Sequence, residues 1–169
     1  MESDINKSMK ITITKQSGIY TLTSEQLLPI SLKKAWGFFT VPTNLDKITP
    51  EEMNFHITNN PGSETYQGQI ITYKIGIFPL VKSNWITEIT HLVKEKFFVD
   101  EQRFGPYAMW HHEHHFQETE EGKVLMTDIV NFKMPFGIFG ELIAGRMVRN
   151  KVKFIFESRY RILEKLIIS

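Results

Sequence analysis

The chain has 169 residues, 41% of them hydrophobic, with 20 Lys and Arg against 19 Asp and Glu: enough apolar mass for one core, and too even a balance to grip a phosphate backbone, so nucleic acid is not an expected partner. The absence of cysteine excludes disulfides, thiolate metal sites and cysteine nucleophiles and suits a reducing compartment. With a polar start from Met1 to Ser8 and no apolar run near the ~20 residues of a membrane span, a soluble, cytoplasmic protein with no membrane span is expected.

In chain order, residues 1–17 are polar apart from the alternation Ile11-Thr12-Ile13-Thr14 and read as a flexible or weakly attached arm ahead of a single domain at 18–169. Tyr20 to Ser24 reads as a first strand. After Pro29, Ser31 is placed to cap a short helix whose Leu32, Ala35, Trp36 and Phe39 share one face. A second short helix carries Leu45 and Ile48, and Thr49-Pro50 stops it, because a residue before proline avoids helical geometry. From Asn54 to Met134 the period becomes two. The inward rows are Phe55/Ile57, Ile71/Tyr73/Ile75, Trp85/Thr87/Ile89, Phe98/Asp100/Gln102, Trp110/His112/His114/Phe116 and Met126/Asp128/Val130/Phe132. Turn residues at Asn59 to Gly62, Gly76 to Pro79, Gly105-Pro106 and Glu120 to Gly122 punctuate an antiparallel meander. After Pro135 the period returns to that of a helix over about 138–167, near 40 Å long at ~1.5 Å per residue.

The stretch from Asp100 to Phe116 holds four of the six histidines. Strand alternation places Trp110, His112, His114 and Phe116 on one side and His111, Glu113 and His115 on the other, a solvated face. The side bounded by Trp and Phe is the inner one, so two imidazoles point into an apolar interior and need hydrogen-bond partners there.

The fold class expected is α+β: a helix-grip domain in which a seven-stranded curved antiparallel sheet wraps a long C-terminal helix, with two short helices after the first strand. A single helix cannot fill the concavity of such a sheet, and a cavity remains between them. With Asn44-Leu45, Thr49-Pro50 and Phe55, Trp85 with Glu88-Ile89, Phe98 to Gln102 with Gly105-Pro106-Tyr107, the inward row of Trp110, Asp128, Val130, Pro135, Gly137, and Phe156 with Arg159, the chain resembles the START-like superfamily, also called SRPBCC, which includes birch-pollen-allergen-like proteins. More narrowly it resembles its bacterial ligand-binding group, sometimes labelled cell-division-inhibitor-like. Phe132 stands where that resemblance implies a tyrosine.

The resemblance implies binding of a small hydrophobic or amphipathic molecule, and the residues expected at its site are Tyr73, Trp85, Asp100, Gln102, Trp110, His112, His114, Phe116, Asp128 and Phe132. Aromatic residues on inward rows also serve as plain core. His112 and His114 with Asp100 or Asp128 have the spacing of a metal site, but a hydrogen-bonded network is the reading adopted, with no metal and no cofactor. Arg159 either binds an anionic ligand head or, as the simpler reading, pairs with an acidic neighbour. A loop at 134–140 is where a ligand gate is expected. The alternatives are a polyketide cyclase/dehydratase-like enzyme using a His-Asp acid-base network, and a protein-protein module related to cell division. The latter needs an exposed apolar patch, and none stands out in the sequence.

Overall fold

The computed structural model describes residues 9–78 and 81–168. Its elements are β1 (Lys10–Gln16), β2 (Ile19–Leu28), α1 (Leu32–Phe39), α2 (Asn44–Lys47), a 3₁₀ turn (Glu51–Met53), β3 (His56–Ile57), β4 (Ile70–Phe78), β5 (Val81–Val93), β6 (Phe97–Phe104), β7 (Met109–Glu118), β8 (Val124–Lys133) and α3 (Gly137–Ile168). The strands form one antiparallel sheet in the order β1-β2-β8-β7-β6-β5-β4-β3. This is the expected helix-grip arrangement. Residues 1–8 of the expected arm and Pro79 of the expected turn lie outside the described residues.

The sheet has eight strands rather than seven, and the added one is β1, inside the segment expected to be a loose arm. Its alternation is genuine: Lys10 to Gln16 pair in register with Glu25 to Ile19, and Ile11 and Ile13 pack beside Tyr20, Leu22 and Val130. Polar outward residues disguised an edge strand as a coil, which is how edge strands commonly present themselves.

Register shifts between Gly76 and Phe78 in β4 and at Ile86/Thr87 and Ile89/His91 in β5 interrupt the ladder. Such bulges bend and twist the strands that carry them, curving the half of the sheet that faces α1 and α2. In α1, Ala35 and Trp36 are the buried positions, and the Thr40 hydroxyl donates to the Trp36 carbonyl at 2.7 Å, closing the last turn. Asn44 Nδ2 donates to the Phe38 carbonyl at 2.9 Å, which fixes the V between the two short helices.

The long helix lies over one half of the sheet. Val148, Val152 and Phe156, at four-residue steps, pack with Tyr20, Leu22, Val130 and Phe132 of β2 and β8. Two polar ties hold it: Glu141 accepts hydrogen bonds from Lys15 Nζ, at 2.6 Å, and from the Tyr20 hydroxyl, and Gln26 Nε2 donates to the Tyr160 carbonyl at 3.0 Å. A second apolar cluster, with Trp36, Ile71, Tyr73, Trp85, Phe98 and Phe116, belongs mainly to α1 and β4 to β7, with Leu28 of β2 and Val124 and Met126 of β8 at its edge. Among the described residues of α3, Ile167 alone packs against it, at the end of the helix.

Phe136, Phe139, Leu142, Ile143 and Met147 are 53–84% exposed. The periodicity groups Phe139, Leu142, Ile143 and Met147 with the packing face, yet here they point to solvent, because the face turned to the sheet is the one through Ala144, Val148 and Val152. The sequence shows no exposed apolar patch; the structure has one, on the first turns of α3. Phe136 and Gly137 both adopt positive φ, 62° and 55°, a reversal that redirects the chain from β8 into the helix and that phenylalanine adopts only under constraint.

Candidate functional site

Between the two apolar clusters lies a cavity of about 150 Å³ walled by α1, α2, β4 to β7 and α3. It sits where the fold demands one: the helix is committed to β2 and β8, and the curved β4 to β6 sheet stands away from it.

Six of the ten expected site residues line it, namely Tyr73, Trp85, Asp100, Trp110, His112 and His114. Tyr73 and Trp85 stack with ring centroids 5.8 Å apart, and Trp85 meets Trp110 edge-on at 5.3 Å. The Tyr73 hydroxyl hydrogen-bonds the Thr87 hydroxyl at 3.0 Å. Burial, and then the nearby Asp100 charge, push that hydroxyl's pKa well above the ordinary tyrosine range, so it stays neutral.

The other four do not line the cavity. Gln102 Nε2 donates to the Tyr107 carbonyl at 2.7 Å and Gln102 Oε1 accepts from the Tyr107 N–H at 3.2 Å; the side chain is occupied in shaping the Gly105-Pro106 turn, and Tyr107 is the residue it brings to the cavity wall. Phe116 packs against Trp36 and Phe39. Phe132 stacks on Tyr20 at 5.2 Å under the helix. Asp128 lies behind the histidines. Strand parity placed all four on the inner face correctly, but an inner face is larger than a cavity.

His112 and His114 face each other with ring centroids 3.8 Å apart, and each reaches both carboxylates. His112 Nε2 lies 3.1 Å from Asp128 Oδ1 and Nδ1 lies 3.2 Å from Asp100 Oδ2. His114 Nε2 lies 2.9 Å from Asp100 Oδ2 and Nδ1 lies 3.0 Å from Asp128 Oδ1; the latter contact is too poorly aligned for a hydrogen bond. Register explains the closure, since β7 pairs His112 with Asp100 of β6 and His114 with Asp128 of β8. Burial alone would lower the His112 pKa, but the two carboxylates hold it above its ordinary value. Burial alone would raise both aspartates; contact with His112 and His114 instead holds them well below the usual carboxylate range. A carboxylate before each ring nitrogen of His112 favours the doubly protonated imidazolium.

Asp100, His112 and His114 also have one ligand atom each within 4.8 Å of one another, the only such trio among the described residues. A divalent ion could enter there only by replacing hydrogen-bond protons, since Asp100 Oδ2 already serves both rings. On the outer face, His111 pairs with Glu101 at 2.9 Å and His115 with Glu113 at 2.9 Å; all four side chains remain 28–41% exposed, as a solvated face should.

On the opposite wall Arg159 is 8% exposed. The acidic neighbour expected for it is absent among the described residues: Nε and Nη1 are buried without a hydrogen-bond partner, and the guanidinium lies 4.9 Å from the Phe156 ring centroid. Asn44, Leu45 and Phe55 of the helical V, and Ile155 and Phe156 of α3, complete the walls. Leu45 and Phe55 were legible as inward residues but not as cavity residues, because only the tertiary fold brings the V over the sheet.

No helix among the described residues is long and apolar enough to cross a membrane. No family model matches the chain and no curated protein matches it in sequence. Solved structures do match in fold. TTHA0849 from Thermus thermophilus superposes with a TM-score of 0.66 at 14% identity, over 88% of this chain and 97% of that one. Protein Ms6760 from Mycobacterium smegmatis gives 0.66 at 15%, over 94% and 97%, and ginseng major latex-like protein 151 from Panax ginseng gives 0.62 at 11%, over 90% and 100%. The element order, the curved sheet gripping one long helix and these superpositions together show that the chain has the helix-grip fold of these proteins.

Proposed function

We propose that the protein binds a small hydrophobic or amphipathic molecule in the cavity between α3 and the sheet, as a carrier or sensor. The observation that carries this reading is the cavity itself: about 150 Å³ walled by Tyr73, Trp85 and Trp110 with the His112-His114-Asp100 cluster at one side. A well-packed core leaves few voids larger than a water molecule, and an apolar void of this order takes a benzene-sized guest. Its size favours a small aromatic or short aliphatic molecule over a two-chain lipid. Native mass spectrometry of freshly purified protein tests it. A co-purifying small molecule, or binding of an added aromatic probe that Trp85→Ala abolishes, supports the reading; an apo protein that takes up no such probe overturns it.

The cyclase-like alternative is supported less well. General base catalysis needs a ring nitrogen free to take a proton, whereas both nitrogens of His112 already face carboxylates. The protein-protein alternative gains the exposed apolar patch on the first turns of α3, which pull-down with a Phe139→Ser/Ile143→Ser variant as control would examine.

A further inference from the structure

The walls of the cavity carry an imbalance of hydrogen-bonding groups. Three lining residues have a buried nitrogen without a hydrogen bond: Arg159, at Nε and Nη1, Trp85, at Nε1, and His114, at Nδ1. Among the described residues, no lining side-chain oxygen shares that condition. The lining acceptor with charge, Asp100, is already engaged through Oδ2 by both histidines. The His114 nitrogen at least has the Asp128 oxygen at 3.0 Å. Trp85 Nε1–H and the Arg159 guanidinium have no such acceptor, and both are obligate donors.

An unpaired buried cation is among the most expensive arrangements a protein interior can hold, because desolvation is not returned by any partner. Arg159 cannot relieve it by losing its proton, since guanidinium stays charged in proteins. The arginine does not point into the sheet core, where it could be exchanged for an apolar residue without loss. It sits one turn beyond Ile155 on the face of α3 that closes the cavity, and its charge acts on the Tyr73 hydroxyl on the far wall. The Phe156 face beneath it, at 4.9 Å, supplies part of the missing stabilisation through the ring quadrupole but accepts no directed hydrogen bond.

We infer that Arg159 is the anchor for an anionic, carboxylate-like group on the cavity ligand, with the ligand's apolar body lying against Tyr73, Trp85 and Trp110. This rests on the proposed ligand-binding reading and narrows it to amphipathic monoanions. The planar fork of a guanidinium matches a carboxylate's two oxygens, and Trp85 Nε1–H is a second donor, on the facing wall of the same cavity. A neutral ligand of the same shape would leave the arginine unpaired and bind more weakly. Asp100, the one carboxylate among the lining residues, disfavours a second negative charge on the same guest, which sets the class at one anionic group rather than two.

The test compares octanoate with 1-octanol, equal in chain length and different in charge, by isothermal titration calorimetry at pH 7 on the wild type, Arg159→Met and Arg159→Lys. The expected result is that the wild type binds octanoate about tenfold to a hundredfold more tightly than octanol. Arg159→Met should lose that preference while keeping its octanol affinity, and Arg159→Lys should keep part of it. Equal affinity of the wild type for the two probes overturns the inference whether or not either variant folds, and so does an Arg159→Met protein that still prefers octanoate. Binding of neither probe, with aromatic probes also failing, overturns the ligand-binding reading and this inference with it.

Discussion

His112 and His114, two residues apart on β7, lie with their ring centroids 3.8 Å apart and their planes tilted by 41°, and contact the same two carboxylates, Asp100 and Asp128. The four side chains form a closed ring across three adjacent strands. Only three of the four members touch the cavity, because Asp128 stands behind the others, and this asymmetry separates a structural from a binding contribution.

Asp128→Asn is therefore expected to lower the melting temperature while leaving ligand affinity within about threefold. His112→Ala should lower stability by about 3–5 kcal/mol, since it strands two buried carboxylates without a cation. Tyr73→Ala and Trp85→Ala should weaken ligand binding as well as stability. Urea unfolding and calorimetric titration on the same preparations measure both quantities; equal affinity losses in Asp128→Asn and Trp85→Ala would contradict the placement of Asp128 outside the cavity.

The ring also sets a pH dependence. Asp100 and Asp128 are held below the ordinary value of 3.8, so their contribution is present above that pH and is lost as acid protonates them in the folded protein. His112 is held above its ordinary 6.5, so its contribution is complete below 6.5 and is lost as the pH rises through the higher folded-state value. The stability gap between wild type and His112→Gln should be widest between about pH 4 and 6.5 and narrow on both sides. Urea midpoints from pH 2 to 9 give the curve, and a gap that widens above pH 7 would contradict it.

Two helical glycines should respond oppositely to alanine. A Cβ at Gly140 would overlap the Pro135 carbonyl oxygen, a backbone atom that cannot move aside cheaply, so Gly140→Ala should destabilise by roughly 1–3 kcal/mol. Gly37, within α1, has nothing within 4 Å of the position a Cβ would take, and Gly37→Ala should stabilise by about 0.5–1 kcal/mol. Thermal melts of the two variants read the signs directly.

No stoichiometric metal is expected in protein purified without chelator. Both histidines are already committed to carboxylates, and metal uptake would have to release the protons held there. Elemental analysis should find less than about a tenth of an equivalent of zinc, iron or nickel, and added zinc should not raise the melting temperature. A full equivalent that disappears in His112→Ala/His114→Ala would establish a metal centre instead.

The sequence by itself determined the order of elements, the inner faces of the strands and the long closing helix, because these depend on period: two for Trp110, His112, His114 and Phe116, and near 3.6 for Val152, Phe156 and Leu163. Period also brought Asp100 and Asp128 onto the histidines' side, so the ring was legible as a set, though not its closure, which needs the cross-strand register. β1 was obscured because an edge strand needs only one apolar side and Ile11 and Ile13 are its only markers. Which helical face packs was not determined, since Phe139, Leu142 and Ile143 fit the same spacing as the buried residues yet lie exposed. The tertiary structure alone decided where the cavity falls, because a void depends on where α3 stops covering the sheet. It alone showed that Arg159 is buried on that wall without an acidic partner among the described residues, for a charge's neighbours in space are not its neighbours in sequence.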